Sequence, residues 1–340
     1  MAIDRRRLVR AHNPVYTSAH PTAVLSVGNG NIAMSVDVSG LQTFPRFHEI
    51  QPDPRRVLSD GLAGLPEQAP RPFDADDFQI PLRTQSTWGW YRTRTVRDFQ
   101  LGETETVYQT SRGPVRYPDR MGLQRAGDPI AEELQAGAWF HYNPRRAHLG
   151  RLALVGPGGR PVQDPSDLVD VRTELDLWSG IVHATYLLDG ERVAVTTIAD
   201  PAGDAFAVRI ESDLLERGWG IAWVFDAQPD DLASFELPLD ESTSWTTQGQ
   251  GRGFAERVVE STQYVVAIET TGSLAAGSHH VIATADSGRY LDVVAVLGHD
   301  GATSTVGLSS FEDVRVRADT ATARCGAQAR VHAHRCCLRS

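Results

Sequence analysis

Residues 171–200 read VRTELDLWSGIVHATYLLDGERVAVTTIAD. Apolar and charged side chains alternate at the start of this stretch, where Val171, Thr173 and Leu175 are each separated by one charged residue. A period of two is typical of a β-strand with one buried face. Asp189-Gly190 then separates two further alternating runs, and this dipeptide favours a tight hairpin turn. The stretch therefore predicts antiparallel strands joined by short turns.

Alternating runs of the same kind occur on both sides of this stretch. Strands are predicted at 32–38, 206–210, 221–225, 264–269, 281–285 and 290–297, and around Val314 and Val316. Parallel strands need a long crossover connection, usually a helix, and the connections here are too short for it. The sequence therefore predicts an all-β fold, built as a large antiparallel sandwich.

Few segments favour a helix. The best are 4–11, which Asp4 begins, and 128–135, where Pro129 follows the capping residue Asp128. Residues 51–79 and 102–127 contain many turn-forming residues and lack periodicity, so they are expected to be long irregular loops.

The composition excludes several classes of protein. All 33 basic residues are Arg, which rules out enzymes that need a Lys Schiff base and phosphate loops that need a Lys. With 43 acidic residues the net charge is −10, which argues against nucleic-acid binding. The three Cys are Cys325, Cys336 and Cys337, so the first 324 residues contain neither a disulfide framework nor a four-cysteine zinc site. No cofactor is expected.

The start of the chain and its apolar runs bear on the compartment. Arg residues near the N-terminus are not followed by an apolar run, as a secretory signal requires. No apolar run approaches the length of a membrane span. We expect a cytoplasmic protein that does not contact a membrane.

Residues 26–31, SVGNGN, have the composition of a phosphate-binding loop. Such loops depend on the N-terminus of a following helix, whereas residues 32–38 favour a strand. An Asn-Gly turn between two strands is the simpler interpretation, with Asn29 shaping the turn.

Residues 84–91, TQSTWGWY, place two Trp and one Tyr beside small polar side chains. Flat aromatic faces next to hydrogen-bonding groups suit a sugar ring. The alternative is that Trp88 and Trp90, which share one face of a strand, pack into the core. The spacing does not distinguish the two.

The His residues do not form a metal-binding motif. Most are isolated, and His279 and His280 are neighbours expected on opposite faces of a strand. No metal site is therefore predicted.

Three segments together resemble the N-terminal part of bacterial six-hairpin glycosidases, most nearly the family 65 glycoside hydrolases, which include maltose and kojibiose phosphorylases. The segments are 26–45 (SVGNGNIAMSVDVSGLQTFP), 80–91 (IPLRTQSTWGWY) and 175–218, which begins LDLWSGIVHATYLLDGERV. In this group a large super-β-sandwich of the galactose-mutarotase type precedes an (α/α)6 barrel that carries the catalytic acid.

The resemblance also implies which residues contact the sugar. Trp88, Trp90 and Tyr91 would line the sugar site, and Gln42, Thr43 and Gln85 would supply polar contacts. None of them would be the catalytic acid or base, so no catalytic residue is assigned.

The chain departs from this pattern after the sandwich. No series of amphipathic helices follows, so the catalytic barrel is expected to be absent. We expect residues 1–320 to form the sandwich and residues 321–340 to be an irregular tail. The clustering of Cys, Arg and His in that tail suggests an out-of-frame peptide from a GC-rich gene, a hypothesis that sequencing the locus would decide.

Three functions follow from these observations. The first is the N-terminal domain of a glycoside hydrolase or phosphorylase acting on α-linked glycosides, inactive as this chain and prone to self-association where the barrel would dock. The second is a free-standing carbohydrate-binding module. The third is a mutarotase-like sugar epimerase, for which His183 is the best placed strand histidine, although a lone strand His is more often structural.

Overall fold

The computed structural model describes residues 3–49, 82–120, 130–228, 235–299 and 309–320. Within these ranges strands dominate, helices are short, and all the strand pairs are antiparallel. The fold is an all-β sandwich, as the alternating sequence pattern predicts.

The helices are α1 (Arg5–Arg10), α2 (Pro45–Glu49), α3 (Glu132–Tyr142) and α4 (311–320). The strands are β1 (Val15–Tyr16), β2 (Leu25–Gly28), β3 (Ile32–Val36), β4 (Thr84–Ser86), β5 (Trp90–Tyr91), β6 (Glu105–Thr110), β7 (Gly113–Pro118), β8 (Arg145–Arg146), β9 (Arg151–Gly156), β10 (Arg160–Pro161), β11 (Val169–Asp176), β12 (Ile181–Leu188), β13 (Glu191–Ala199), β14 (Ala205–Glu211), β15 (Gly220–Val224), β16 (Glu241–Gly249), β17 (Arg252–Val259), β18 (Thr262–Thr270), β19 (Ser273–Ala276), β20 (His280–Thr284) and β21 (Tyr290–His299).

Two sheets form the layers of the sandwich, a nine-stranded one that we call the large sheet and a five-stranded one that we call the small sheet. The nine-stranded sheet has the order β1-β11-β12-β13-β14-β21-β18-β17-β16, and the five-stranded sheet has the order β10-β9-β15-β20-β19. A further sheet contains β2, β3 and β4. Strand β5 pairs with β8, and β6 pairs with β7, in two-stranded sheets.

The main core lies between the two layers. Val182, Ala184 and Tyr186 of β12 belong to the same buried cluster as Leu152 of β9 and Trp223 of β15. Because side chains alternate across a strand, the intervening residues of each strand point to the outer faces. The period of two in the sequence thus matches the burial pattern of the sheets.

The turn after β12 confirms the hairpin predicted from Asp189-Gly190. Both residues have positive φ, 51° and 77°. A type I′ turn requires positive φ at both central positions, which Asp tolerates and Gly adopts at no steric cost.

Residues 37–44 run along the edge of the five-stranded sheet, between its β9 and the nine-stranded sheet. The Gln42 N–H donates to the Leu152 carbonyl at 2.7 Å, and the Leu154 N–H donates to Thr43 Oγ1 at 3.3 Å. On the other side, the Thr173 and Thr197 hydroxyls donate to the carbonyls of Val38 and Gly40. This segment therefore ties the two layers together.

The predicted strand around Val314 and Val316 is wrong, since residues 311–320 form helix α4. Phe311, Val314 and Ala318 lie on one side of it and pack on Ile198 and Val294 of the large sheet's outer face. Their spacing of three and four residues is that of a helix face, whereas the alternation of 314 and 316 covers only two apolar residues.

Two other expectations also need correction. Residues 102–127 were expected to be irregular, but β6 and β7 form a hairpin within them. Helix α3 begins at Glu132, not at 129, and Asp128 and Pro129 lie outside the described residues. So do residues 51–79 and the tail 321–340, which leaves the predicted tail boundary a prediction.

Candidate functional site

The loop that carries Trp88 is fixed by a contact distant in sequence. The indole Nε1 of Trp88 donates to Asp204 Oδ2 at 2.9 Å. Its ring is half-buried against the main core, with its centroid 6.4 Å from that of Tyr264 and 5.3 Å from that of His299. Trp88 is therefore an anchor for the loop, with its polar edge satisfied by Asp204.

The Asn-Gly turn meets this loop at the same carboxylate. Asn31 Nδ2 donates to both carboxylate oxygens of Asp204, at 2.7 and 2.6 Å, and the Thr87 hydroxyl donates to Asn31 Oδ1. Asp204 thus accepts hydrogen bonds from both segments that the sequence singles out. We call Asn31, Thr87, Trp88, Trp90 and Asp204 the aromatic rim.

Asn29 shapes the turn, as expected from the sequence. Its Oδ1 accepts from the N–H groups of Asn31 and Ile32 at 2.9 and 3.0 Å. Its Nδ2 donates to the carbonyls of Asp200 and Gly203, both at 2.9 Å. The phosphate-loop interpretation therefore has no support here, because the side chain is fully used in the turn and a strand follows it.

Trp90 has the opposite environment to Trp88, since 36% of it is exposed. Its Nε1 donates to the Thr87 carbonyl at 2.7 Å, which fixes the indole on its own loop. The guanidinium carbon of Arg146 lies 4.4 Å from the ring centroid, and Arg146 Nη1 donates to the Ser86 carbonyl at 3.1 Å. A fixed, exposed indole can pack against a ligand ring, and the guanidinium next to it can donate hydrogen bonds to the ligand.

The structure does not bring the other predicted contact residues to this surface. Tyr91 is buried in the main core. Gln42 is fully buried, and its Oε1 accepts from the Thr84 hydroxyl at 2.9 Å. Thr43 is buried and bonded to Ser39, while Gln85 is partly exposed on β4. A sugar contact by these four residues stays a prediction.

His183 lies on the outer face of the large sheet. It is directly opposite Glu174 on β11, and its Nδ1 is 3.4 Å from the Thr196 hydroxyl. Glu174 accepts from Asn13 and Arg172, and Asp176 accepts from Arg10 at 2.6 Å. These carboxylates are engaged in structural contacts, which favours a structural role for His183 over an acid/base role.

Two residues of this surface were missed by the sequence reasoning. Asp204 follows a Pro-Ala-Gly turn, a signal for a loop but not for its partners. Arg146 follows Pro144 in a segment without periodicity. Neither position carries a local pattern that would connect it to the Trp residues.

The described residues contain neither a metal-binding cluster nor a membrane-spanning helix. No group of three or more His, Cys, Asp or Glu residues among them is placed to hold a metal ion. No helix among them is long and apolar enough to cross a membrane.

No family model and no curated protein matches this chain. Among solved structures it is similar to a "putative kojibiose phosphorylase from human microbiome", with 10% identity and a TM-score of 0.48 over 91% of this chain and 37% of that one. It is also similar to a family GH92 α-mannosidase from Bacteroides thetaiotaomicron, with 11% identity and a TM-score of 0.22 over 50% of this chain and 28% of that one. The chain thus spans little more than a third of the length of the phosphorylase.

Proposed function

We propose that this chain is the β-sandwich domain of a carbohydrate-active enzyme of the glycoside hydrolase or phosphorylase type, and that the aromatic rim contacts the sugar. The observation that carries the proposal is the exposed Trp90 indole, fixed by its hydrogen bond to Thr87 and lying beside Arg146. The resemblance of residues 26–45, 80–91 and 175–218 to six-hairpin glycosidases points to the same class of ligand.

The proposal divides the two Trp residues between two roles. Trp90 provides the stacking face, because it is exposed and its only polar edge is satisfied within the loop. Trp88 positions that face, because it joins the loop to Asp204 and to the core. Arg146 lies over the same indole and supplies donors to sugar hydroxyls.

We place the catalytic acid outside this chain. In the group that the sequence resembles, the acid lies on the (α/α)6 barrel, which this chain is expected to lack. In most glycoside hydrolases this acid protonates the leaving oxygen as the glycosidic bond is cleaved. The chain by itself should therefore bind α-linked sugars without turning them over, with or without inorganic phosphate.

The test is isothermal titration calorimetry of the full chain with maltose, kojibiose and isomaltose. Fluorescence is unsuitable because the key substitution removes a fluorophore. Trp90→Ala should weaken binding about tenfold, since about 1.4 kcal/mol corresponds to a factor of ten and an aromatic contact is of that size. Trp90→Phe should retain most of the affinity, because it keeps a flat face.

Tyr117→Ala is the matched control, since Tyr117 is an exposed aromatic residue on the separate hairpin of β6 and β7. It should leave affinity unchanged. Equal affinity of the native chain and Trp90→Ala would refute the role of the rim. Turnover of any disaccharide by the purified chain would refute the placement of the acid elsewhere.

A further inference from the structure

The outer face of the five-stranded sheet is apolar, unlike the usual outer face of an antiparallel sheet. On β9, β15 and β20 the residues that face inward belong to the main core, and they include Leu152, Trp223 and Val281. The residues between them should be polar if they faced only water. Instead Ala153, Ala222 and Ile282 stand in one cross-strand row.

A second row beside the first is apolar in its centre and basic at its ends. Val224 is opposite Arg151 on β9 and opposite His280 on β20. The strand register therefore places Arg151 and His280 on either side of Val224. We call the neighbouring row of Ala153, Ala222 and Ile282 the apolar floor. This arrangement follows from the pairing of three strands distant in sequence and has no local sequence signal.

Two segments wall this floor into a cavity of about 460 Å³. One is 43–46, which includes the first two residues of α2, and the other is 159–163, which includes β10. Gly159 approaches the floor so closely that a Cβ there would lie 2.5 Å from Ile282 Cδ1. The volume lies in the range of pockets that hold small organic molecules.

Two guanidinium groups, those of Arg46 and Arg151, line the cavity. The described residues that line it include no Asp or Glu. Arg151 is held by Asp226, whose Oδ2 accepts from its Nε at 2.6 Å, and this pair compensates the charge of Arg151. Arg46, which is exposed, adds a positive charge in a protein whose net charge is −10.

We propose that this cavity binds a small organic anion, with its carboxylate or phosphate head at Arg46 and Arg151 and its apolar body on the row formed by Ala153, Ala222 and Ile282. A guanidinium such as that of Arg46 can bind such a head with two parallel hydrogen bonds. Arg151 donates from Nε to Asp226 and from Nη1 to the Gln42 carbonyl, so its Nη2 is the group that can add a further bond. The apolar floor excludes water under the body of the ligand. The site shares no residue with the aromatic rim and is therefore independent of the role proposed for Trp90, although Thr43, which the resemblance implies as a sugar contact, lines its wall.

The test compares 2-naphthoate with its neutral counterpart 2-naphthamide, by ligand-observed NMR and calorimetry on the full chain. Naphthoate should bind at least about tenfold more tightly than the amide, since only the anion makes charge-assisted hydrogen bonds. Inorganic phosphate, which lacks an apolar body, should bind more weakly than naphthoate. Equal binding of naphthoate and naphthamide, or no binding of naphthoate at millimolar concentration, would overturn the proposal.

Two variants locate the bound anion. Arg46→Gln, at an exposed position, should reduce the affinity for naphthoate about tenfold and leave that for the amide unchanged. Ala222→Leu should abolish binding of both by filling the floor. Residue 222 is buried, so circular dichroism is used to check that this variant folds. If Ala222→Leu fails to fold, Arg46→Gln decides.

Arg192→Gln, on the large sheet, is the control and should change nothing. Naphthoate binding that survives Arg46→Gln unchanged would refute the site. A concentration-dependent dimer on size-exclusion chromatography that Ala222→Leu abolishes would instead identify a second copy as the occupant, and would also refute the proposal.

Discussion

The Trp88 indole donates to the Asp204 carboxylate across 116 positions of sequence, at 2.9 Å. The same carboxylate accepts from Asn31, so one side chain holds both the Asn-Gly turn and the loop that presents Trp90. The precision of the aromatic rim therefore depends on the short turn between β13 and β14, which contains no aromatic residue.

Asp204→Asn should destabilise the fold by about 1–2 kcal/mol, because hydrogen bonds to a charged acceptor contribute more than neutral ones and an amide replaces one acceptor by a donor. Near-ultraviolet circular dichroism should also change as Trp88 loses its fixed position. Urea unfolding measures the first effect. Asp167→Asn, at an exposed position, is the control, and equal midpoints for the two variants would contradict the role of Asp204.

Tyr186→Phe should not destabilise the protein and should raise the unfolding free energy by up to about 1 kcal/mol. Its hydroxyl is buried in the core and has no hydrogen-bond partner among the residues that the structure describes. An unsatisfied polar group is costly there. Tyr264→Phe is the matched comparison, since the equally buried Tyr264 hydroxyl donates to the His148 carbonyl. That variant should lose about 1 kcal/mol. The reverse order of stability would show that Tyr186 has a partner in solution.

Gly40→Ala should lower the unfolding free energy by about 2–5 kcal/mol, through strain and overpacking together. Gly40 has φ of +76°, and a Cβ there would lie 2.9 Å from the Ala184 Cβ. Gly30→Ala isolates the strain, because Gly30 has φ of +93° and no atom of the described part of the chain lies within 4 Å of a Cβ placed there. Its cost should be about 1–2 kcal/mol. Equal losses in the two variants would mean that segment 37–44 can move away from the large sheet.

His148 should make the protein less stable in mild acid. Burial lowers the pKa of its imidazole, despite the raising effect of the adjacent Asp226, and its Nδ1 accepts from the Thr84 N–H at 3.2 Å. An unfolded His binds a proton below about pH 6.5, whereas the folded state keeps His148 neutral until a lower pH. The stability contributed by neutral His148 is therefore complete above the unfolded pKa of about 6.5. It is lost as the pH falls from there through the lower folded pKa.

His148→Gln should flatten this pH dependence, because Gln keeps an acceptor for Thr84 but does not titrate. The measurement is urea unfolding at about pH 7 and about pH 5.5, on either side of the ordinary His pKa. His48 and His183, whose pKa values burial also lowers, are present in both the native chain and the variant. Their contributions to the pH dependence therefore cancel in the comparison. His141→Gln, at an exposed position, is the control. An unchanged slope in His148→Gln would show that the pKa of His148 is the same in the folded and unfolded states, and would contradict the effect of burial.

The strands of the sandwich could be predicted because their evidence is local. Residues 181–188 alternate between the core and the outer face, and the Asp189-Gly190 turn is encoded by two adjacent residues. Helix α4 could not be predicted from its two alternating Val residues. Its apolar face contacts Ile198 and Val294. These two residues form one apolar patch on the outer face of the large sheet only because β13, β14 and β21 are neighbours.

The candidate site was predicted in part. Residues 84–91 were singled out, but their spacing allowed both Trp side chains to be buried or both to be exposed. The structure separates them, since the loop places Trp88 against Tyr264 and leaves Trp90 beside Arg146. Gln42 is buried next to Thr84, and the sugar contact that the resemblance implies for it stays a prediction.

The sequence alone determined the all-β class, the antiparallel strands and the tight turns, because alternation and turn chemistry act over two to eight neighbouring residues. Only the tertiary structure decided which aromatic side chain faces solvent, which carboxylate holds it, and that an apolar row on the outer face of the small sheet lies beside Arg151 and His280. These features depend on strand register and on contacts between residues distant in sequence, and no local pattern specifies the partner in such a contact.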